Sequence, residues 1–253
     1  MSPNTISPQW PAVAGVRALF TLRSAGASRA PYESFNLGAH VGDDPGAVRQ
    51  NRRQLCAAHE LPQEPLWLEQ VHGTQVVDAD HVRLAGAVQG PPRGDAAVSR
   101  QPGTVLAVLV ADCLPVLFAA LDGSAVAVAH AGWRGLAAGV LEATVVALAS
   151  HGALQAWLGP AISSPHFEVG PEVREAFTAH DPAAATAFTA NSGGRWQCDL
   201  PALARARLAA AGVCSVYADT GCTFAQPQRF YSYRRDGVTG RNAALIWLNA
   251  AQC

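Results

Sequence analysis

Three side chains in this 253-residue sequence combine soft donor atoms with positions where an apolar run turns: His72, Cys113 and His130. Each is followed within two residues by Gly or Pro, in Val71-His72-Gly73, Asp112-Cys113-Leu114-Pro115 and His130-Ala131-Gly132. Two imidazoles and one thiolate, with a fourth position left open, form the donor set of a catalytic zinc site. A structural zinc would ask for a fourth protein ligand, commonly from close Cys-x-x-Cys pairs, and the sequence has none. The bland alternative is a thiol packed as a small hydrophobe beside two hydrogen-bonded histidines. The spacing alone leaves both readings open.

The elements that must bring these groups together are short and apolar. Val105–Val110, Pro115–Ala120 and Ala125–Ala129 are nearly free of polar residues. Such runs read as strands buried on both faces. Asp122-Gly123-Ser124 reads as the hairpin turn between the second and third. Other expected strands are Val16–Leu22, Leu66–Val71, Thr74–Asp78, Asp95–Ser99, Ala156–Leu158, Val213–Tyr217 and Ala243–Leu248. Expected helices cover Pro45–His59, with Asp44 as cap and Val48, Leu55 and Cys56 inward, then Leu136–Ser150, Pro171–Thr178 and Leu200–Ala211, capped by Asp199. Most of residues 79–103 read as loop, and residues 180–197 as a variable loop with a short helical piece. Irregular alternation without a polar linker predicts a single α/β domain over residues 1–253, with mixed sheets flanked by helices rather than a doubly wound sheet.

Composition narrows the chemistry. Net charge is −1, so no broad basic field points to nucleic acid. No apolar run approaches the ~18 residues of a membrane span, and the N-terminus lacks a secretory pattern. The six cysteines show no disulfide framework, and the expected location is the cytoplasm. All 18 basic side chains are arginine, which excludes a Schiff-base lysine, a pyridoxal phosphate anchor and a P-loop lysine. The one methionine is Met1, there are eight histidines, and no His-x-His pair occurs. A multicopper oxidase needs roughly ten histidines, and a blue-copper site usually adds an axial Met. Copper oxidase chemistry is therefore disfavoured, although copper could still bind a His/Cys/His group.

The segments WLEQVHGTQV (67–76), ADCLPVLF (111–118), HAGWRGLAAGV (130–140), WLGPAI (157–162), FEVG (167–170) and RFYSYRRDGVTGR (229–241) resemble the YfiH-type family. SFNLGAHVGDDP (34–45) follows the same pattern. This family is also called the laccase-domain, polyphenol oxidase or peptidoglycan editing factor family. The resemblance implies a layered α/β domain and a Zn2+ site on His72, Cys113 and His130. It implies pocket roles for Asn36, Arg52 and Arg234, and acid–base help from His40 or Asp112. The latter is also a candidate for orienting a ligating imidazole, or for merely capping a turn.

The activity implied first is phosphorolysis of purine nucleosides (adenosine, inosine, methylthioadenosine), with adenosine deamination beside it. The signature of the known zinc deaminases, His-x-Glu with Pro-Cys-x-x-Cys, is absent. The alternative is an amidase that removes L-Ser from the peptidoglycan precursor UDP-MurNAc-L-Ser. A copper polyphenol oxidase and a non-enzymatic nucleotide-binding protein come after these. Expected partners are a purine nucleoside and phosphate, with neither nucleic acid nor membrane, in a monomer or homodimer.

Overall fold

The period-two alternation of the apolar strands dictates the architecture. In a strand, successive side chains point to opposite faces, so a run that is apolar throughout must be covered on both sides. The computed structural model describes residues 4–84 and 90–249 and shows how this is done. Three strand sets form: Thr5–Ile6, Val16–Thr21, Asn242–Leu248 and Leu106–Val110 make a four-stranded sheet in that order. Ser215–Ala218, Leu154–Leu158, Leu114–Ala120, Val126–Ala131, Ala96–Ser99 and Val76–Asp78 make a mixed six-stranded sheet. A small antiparallel sheet joins Phe188–Ala190, Trp196–Cys198 and Glu168–Val169.

The two larger sheets pack face to face. Val108, Val110, Ala244 and Ile246 from one meet Leu117, Ala119, Val126 and Val128 from the other. The alternate residues fill two outer layers. Val116, Phe118, Ala127 and Ala129 pack with Leu136, Leu141, Val173, Leu203 and Leu208 from the helices on one side. Ala107, Leu109, Leu245 and Trp247 pack on the opposite side with Phe35, Leu37 and Leu55. The order is thus helix, sheet, sheet, helix. Burial of aliphatic side chains at ~25 cal/mol per Å2 supplies the main stabilising term for these layers.

Most elements follow the sequence reading. The Pro45–Ala58 helix starts where Asp44 accepts the Ala47 N–H at 2.7 Å. Val48 and Leu55 are buried as expected, Cys56 is half-buried, and Asn51 is buried instead. Asn51 is tolerated there because its amide donates to Ser28 Oγ and to the Ser34 and Asn36 carbonyls. Asp199 caps Leu200–Ala210 in the same manner as Asp44.

Several expectations are corrected. Leu66–Val71 makes only isolated bridges, Leu66 to Leu106 and Glu69 to Arg93, and is no strand. Its Gln70 side chain instead bonds both backbone groups of Leu109. The helix expected from Leu136 begins at Trp133 and is broken at Gly139, whose φ of 102° ends Trp133–Ala138 and starts Val140–Ala147. Part of the expected loop 79–103 is a helix, Ala79–Leu84; residues 85–89 and Cys253 lie outside the described residues. Residues 188–198 form a hairpin, with no strong alternation to announce it. Among the described residues no helix is long and apolar enough to cross a membrane.

Removal of the Asp44 cap tests the account of the arginine-bearing helix. Asp44→Ala should lower stability by about 1 kcal/mol, seen as a lower urea midpoint with an unchanged slope. An unchanged midpoint would show that the cap contributes nothing to the fold.

Candidate metal centre

The six-stranded sheet brings His72 and His130 to one place through the strand between them. Ala96–Ser99 pairs antiparallel with the strand of His130 and parallel with Val76–Asp78, which follows His72. Asp95, immediately before that central strand, is fully buried. Its carboxylate accepts the backbone N–H groups of Val71, His72 and Gly73 at 3.1, 2.9 and 2.7 Å. It also accepts from His130 Nδ1 at 2.9 Å, and its carbonyl accepts the His130 N–H at 2.7 Å. One side chain therefore holds the His72 turn, where φ is +60°, and sets the tautomer and orientation of His130. No sequence feature had singled out Asp95. The available signal was a carboxylate at the start of an apolar strand, which is common.

Cys113 arrives from the other sheet. The chain leaves Leu106–Val110, turns through Asp112 at φ +100°, and enters Leu114–Ala120 in the six-stranded sheet. There Pro115 lies opposite His130 and Leu114 opposite Ala131. Cys113 Sγ comes to 4.0 Å from His72 Nε2. One ligating atom from each of His72, Cys113 and His130 lies within 4.8 Å of the others. Tetrahedral zinc asks for separations of about 3.5 Å between such atoms, so a small contraction completes the fit. Gly132 leaves the necessary space. A Cβ there would sit 3.0 Å from Cys113 Sγ and 3.1 Å from His72 Cδ2. Gly135 lets the following helix approach the Gly73 carbonyl, which a Cβ would meet at 2.9 Å.

The electrostatics of the group favour deprotonated sulfur. Burial pushes the Cys113 thiol up, but the His130 charge and the hydrogen bonds from His130 and His72 outweigh it and bring the pKa to about 6. Burial opposes charge on His130 as well, while the Cys113 thiolate and Asp95 raise it to about 9. Asp95 itself is held below the usual carboxylate range. Burial acts against this, but the bonds from His130 and the 71–73 backbone prevail.

The site opens into a cleft of about 950 Å3, lined by His72, Cys113 and His130 together with His40, Arg52, Tyr233 and Arg241. Leu66, Leu68, Pro92, Leu109 and Val110 form an apolar wall. His40 is held below the usual histidine range by burial and by the positive charges of Arg241, Arg52 and His130. Its ring therefore stays neutral near pH 7. Arg52 stacks over Trp67 at 4.1 Å and donates twice to the Leu37 carbonyl. Arg241 donates to the Thr239 and Gly240 carbonyls.

The remaining predicted residues lie elsewhere. Asn36 is buried with its amide satisfied by Gly38, Asp43 and the Arg241 N–H. It positions Arg241 rather than lining the cleft, and Gly38 makes room for that arginine, since a Cβ there would meet Arg241 Cγ at 2.8 Å. Arg234 points away from the cleft, donating to the Glu168 carbonyl and lying over Phe167. Arg241 and Tyr233, from the same motif, take the wall instead. Asp112 orients no imidazole. Its carboxylate accepts from Thr223 Oγ1 at 2.6 Å and from the Arg234 N–H at 2.7 Å, anchoring the Tyr233–Asp236 turn beside Cys113.

Two outcomes follow from this geometry. Asp95→Asn should weaken zinc affinity about 10- to 100-fold in competition with a chromophoric chelator; unchanged affinity would remove Asp95 from the centre. With Cys113 near 6 and His130 near 9, the metal-free pair at pH 7.5 is thiolate and imidazolium. Zinc needs both deprotonated, so its uptake at pH 7.5 should release about one proton from this pair, that of His130. Release of two protons at pH 7.5, read with an indicator in weak buffer, would contradict the ion pair.

Comparison with known proteins places the chain. The profile of the family described as "Multi-copper polyphenol oxidoreductase laccase" matches residues 17–249. Purine nucleoside phosphorylase YfiH of Escherichia coli (strain K12) is 51% identical over 244 residues, 96% of this chain and 98% of that protein. A purine nucleoside phosphorylase of Pseudomonas aeruginosa is 52% identical over 96% of this chain and 98% of its own length. The crystal structure of a Neisseria meningitidis protein superimposes with a TM-score of 0.90 at 47% identity, covering 98% of this chain and all of the other. The likeness extends to Bacillus licheniformis hypothetical protein YfiH, with a TM-score of 0.86 at 30% identity over 92% of this chain and 93% of the other. The chain belongs to this laccase-like family and is a relative of the YfiH proteins.

Proposed function

We propose that the chain is a zinc-dependent purine nucleoside enzyme that cleaves adenosine, inosine and methylthioadenosine by phosphorolysis, with adenosine deamination as a second outcome at the same centre. The observation that carries this reading is one cleft lined by a His/Cys/His group, by the polar side chains of His40, Arg52 and Arg241, and by apolar side chains. The names of the Escherichia coli and Pseudomonas aeruginosa relatives agree with it.

His72, Cys113 and His130 would hold the zinc, which when bound supplies Lewis-acid charge at its open position. Arg241 and Arg52 offer fixed positive charge for a phosphate. In phosphorolysis a phosphate oxygen bonds to ribose C1′ while the C1′–N9 bond breaks, and its electron pair leaves with the purine. His40, neutral in this field, serves as a relay: it takes the proton that the attacking hydrogen phosphate gives up and passes it to the departing purine. Tyr233, 61% exposed at the cleft, offers a face on which the base stacks. Leu68, Pro92 and Val110 keep water from the reacting centre. A zinc centre fits the same donors better than copper does, because the described residues include no methionine to serve as an axial thioether.

The test is product separation on metal-analysed protein incubated with adenosine, with and without phosphate. Adenine and ribose 1-phosphate should appear only with phosphate. Inosine would show deamination instead, and no purine product from zinc-replete protein would turn the reading to the muramyl amide. Arg241→Ala should raise the phosphate KM more than the nucleoside KM, by roughly tenfold for a lost charged contact. Arg234→Ala should leave both in place. The reverse pattern would return the anion site to Arg234.

A further inference from the structure

The cleft does not end at Arg52. A second groove of about 840 Å3 runs along the Pro45–Ala58 helix and shares Ala39 and Arg52 with the first. Arg49 and Arg53, one helical turn apart, line it. Both are exposed, and neither forms an ion pair among the described residues. Its one acidic lining residue, Glu64, is 65% exposed and lies 3.9 Å from Arg52 Nη1, too far for a hydrogen bond. Arg52 is itself fixed, only 17% exposed, between Trp67 and the Leu37 carbonyl. Its Nε and Nη2 are spent on that carbonyl, while Nη1 faces the groove residue Glu64.

The arginines therefore form a track. Arg241 and His40 stand near the metal group, Arg52 stands at the junction, and Arg49 and Arg53 stand beyond it. Each cavity is at the upper end of the size that a small-molecule site needs. Together they exceed what a nucleoside and one phosphate would fill. Guanidinium groups lining two adjoining cavities suit the recognition of phosphate oxygens.

We infer that the groove along the Arg49–Arg53 face is a second subsite that binds the 5′-phosphate or diphosphate tail of a nucleotide whose nucleoside part occupies the cleft. This deepens the nucleoside reading and rests on it. Substrates or competing ligands of the centre then include nucleoside 5′-phosphates, with Arg52 touching both halves.

The test is calorimetric binding of adenosine, ADP and inorganic pyrophosphate to the purified full-length protein, and to its Arg49→Ala/Arg53→Ala variant. ADP should bind the unaltered protein at least tenfold more tightly than adenosine, and more tightly than pyrophosphate. The double substitution should reduce the ADP advantage to about twofold or less, with circular dichroism reporting an intact fold. A charge-retaining Arg49→Lys/Arg53→Lys variant should restore part of it. Equal affinity for ADP and adenosine in the unaltered protein would overturn the subsite while leaving the nucleoside reading intact. Pyrophosphate binding as tightly as ADP would overturn it in favour of a free-anion site. Failure of both adenosine and ADP to bind would overturn the subsite and the nucleoside reading together.

Discussion

A single buried carboxylate holds the centre together. Asp95 is removed from water, a placement that would be costly without partners. Four donors meet it, three from the 71–73 backbone and one from His130. The same bonds that make its burial tolerable fix the His72 turn and the His130 ring. Structure and site are thus coupled: the strand that begins at Ala96 cannot shift without moving two of the three donor groups. Cys113 is held by a different constraint, the switch of the chain from one sheet to the other at Asp112. The donors converge because two sheets pack at that point, and Gly132 leaves the gap between them open.

Charge is graded along the cleft. At the metal group a thiolate and a carboxylate face two imidazoles. A few residues away the wall turns positive through His40, Arg241 and Arg52. Burial and this positive field keep His40 neutral, whereas Asp95 and Cys113 draw positive charge onto His130. Before a metal binds, two histidines of the same cleft thus take opposite protonation states.

The sequence carried the three donor groups and most of the strands, because both leave local marks. Continuous apolar runs of five to seven residues have few alternatives to a doubly covered strand, and Asp-Pro or Asp-x-Pro marks a helix start. What it did not carry depends on distant partners. Asp95 and Asp112 are both acidic residues at strand ends in apolar surroundings, and nothing local tells which of them meets His130. Asn36 and Arg234 sit in motifs of the cleft, yet their side chains serve its frame; Arg241, seven residues beyond Arg234, holds the wall position. Leu66–Val71 has the composition of a strand, but it is held by the Gln70 side chain on the Leu109 backbone and by scattered bridges. In each case tertiary context decided among options that local pattern left equal.

The central claim is that His72, Cys113 and His130 hold one zinc with a position left open. X-ray absorption at the zinc edge, on protein purified without chelators and assayed for metal content, tests it most directly. The account predicts about one zinc per chain with one sulfur near 2.3 Å, two imidazole nitrogens near 2.0–2.1 Å and one further light-atom ligand. A sulfur-free shell, four protein ligands closing the site, or stoichiometric copper in place of zinc would contradict it.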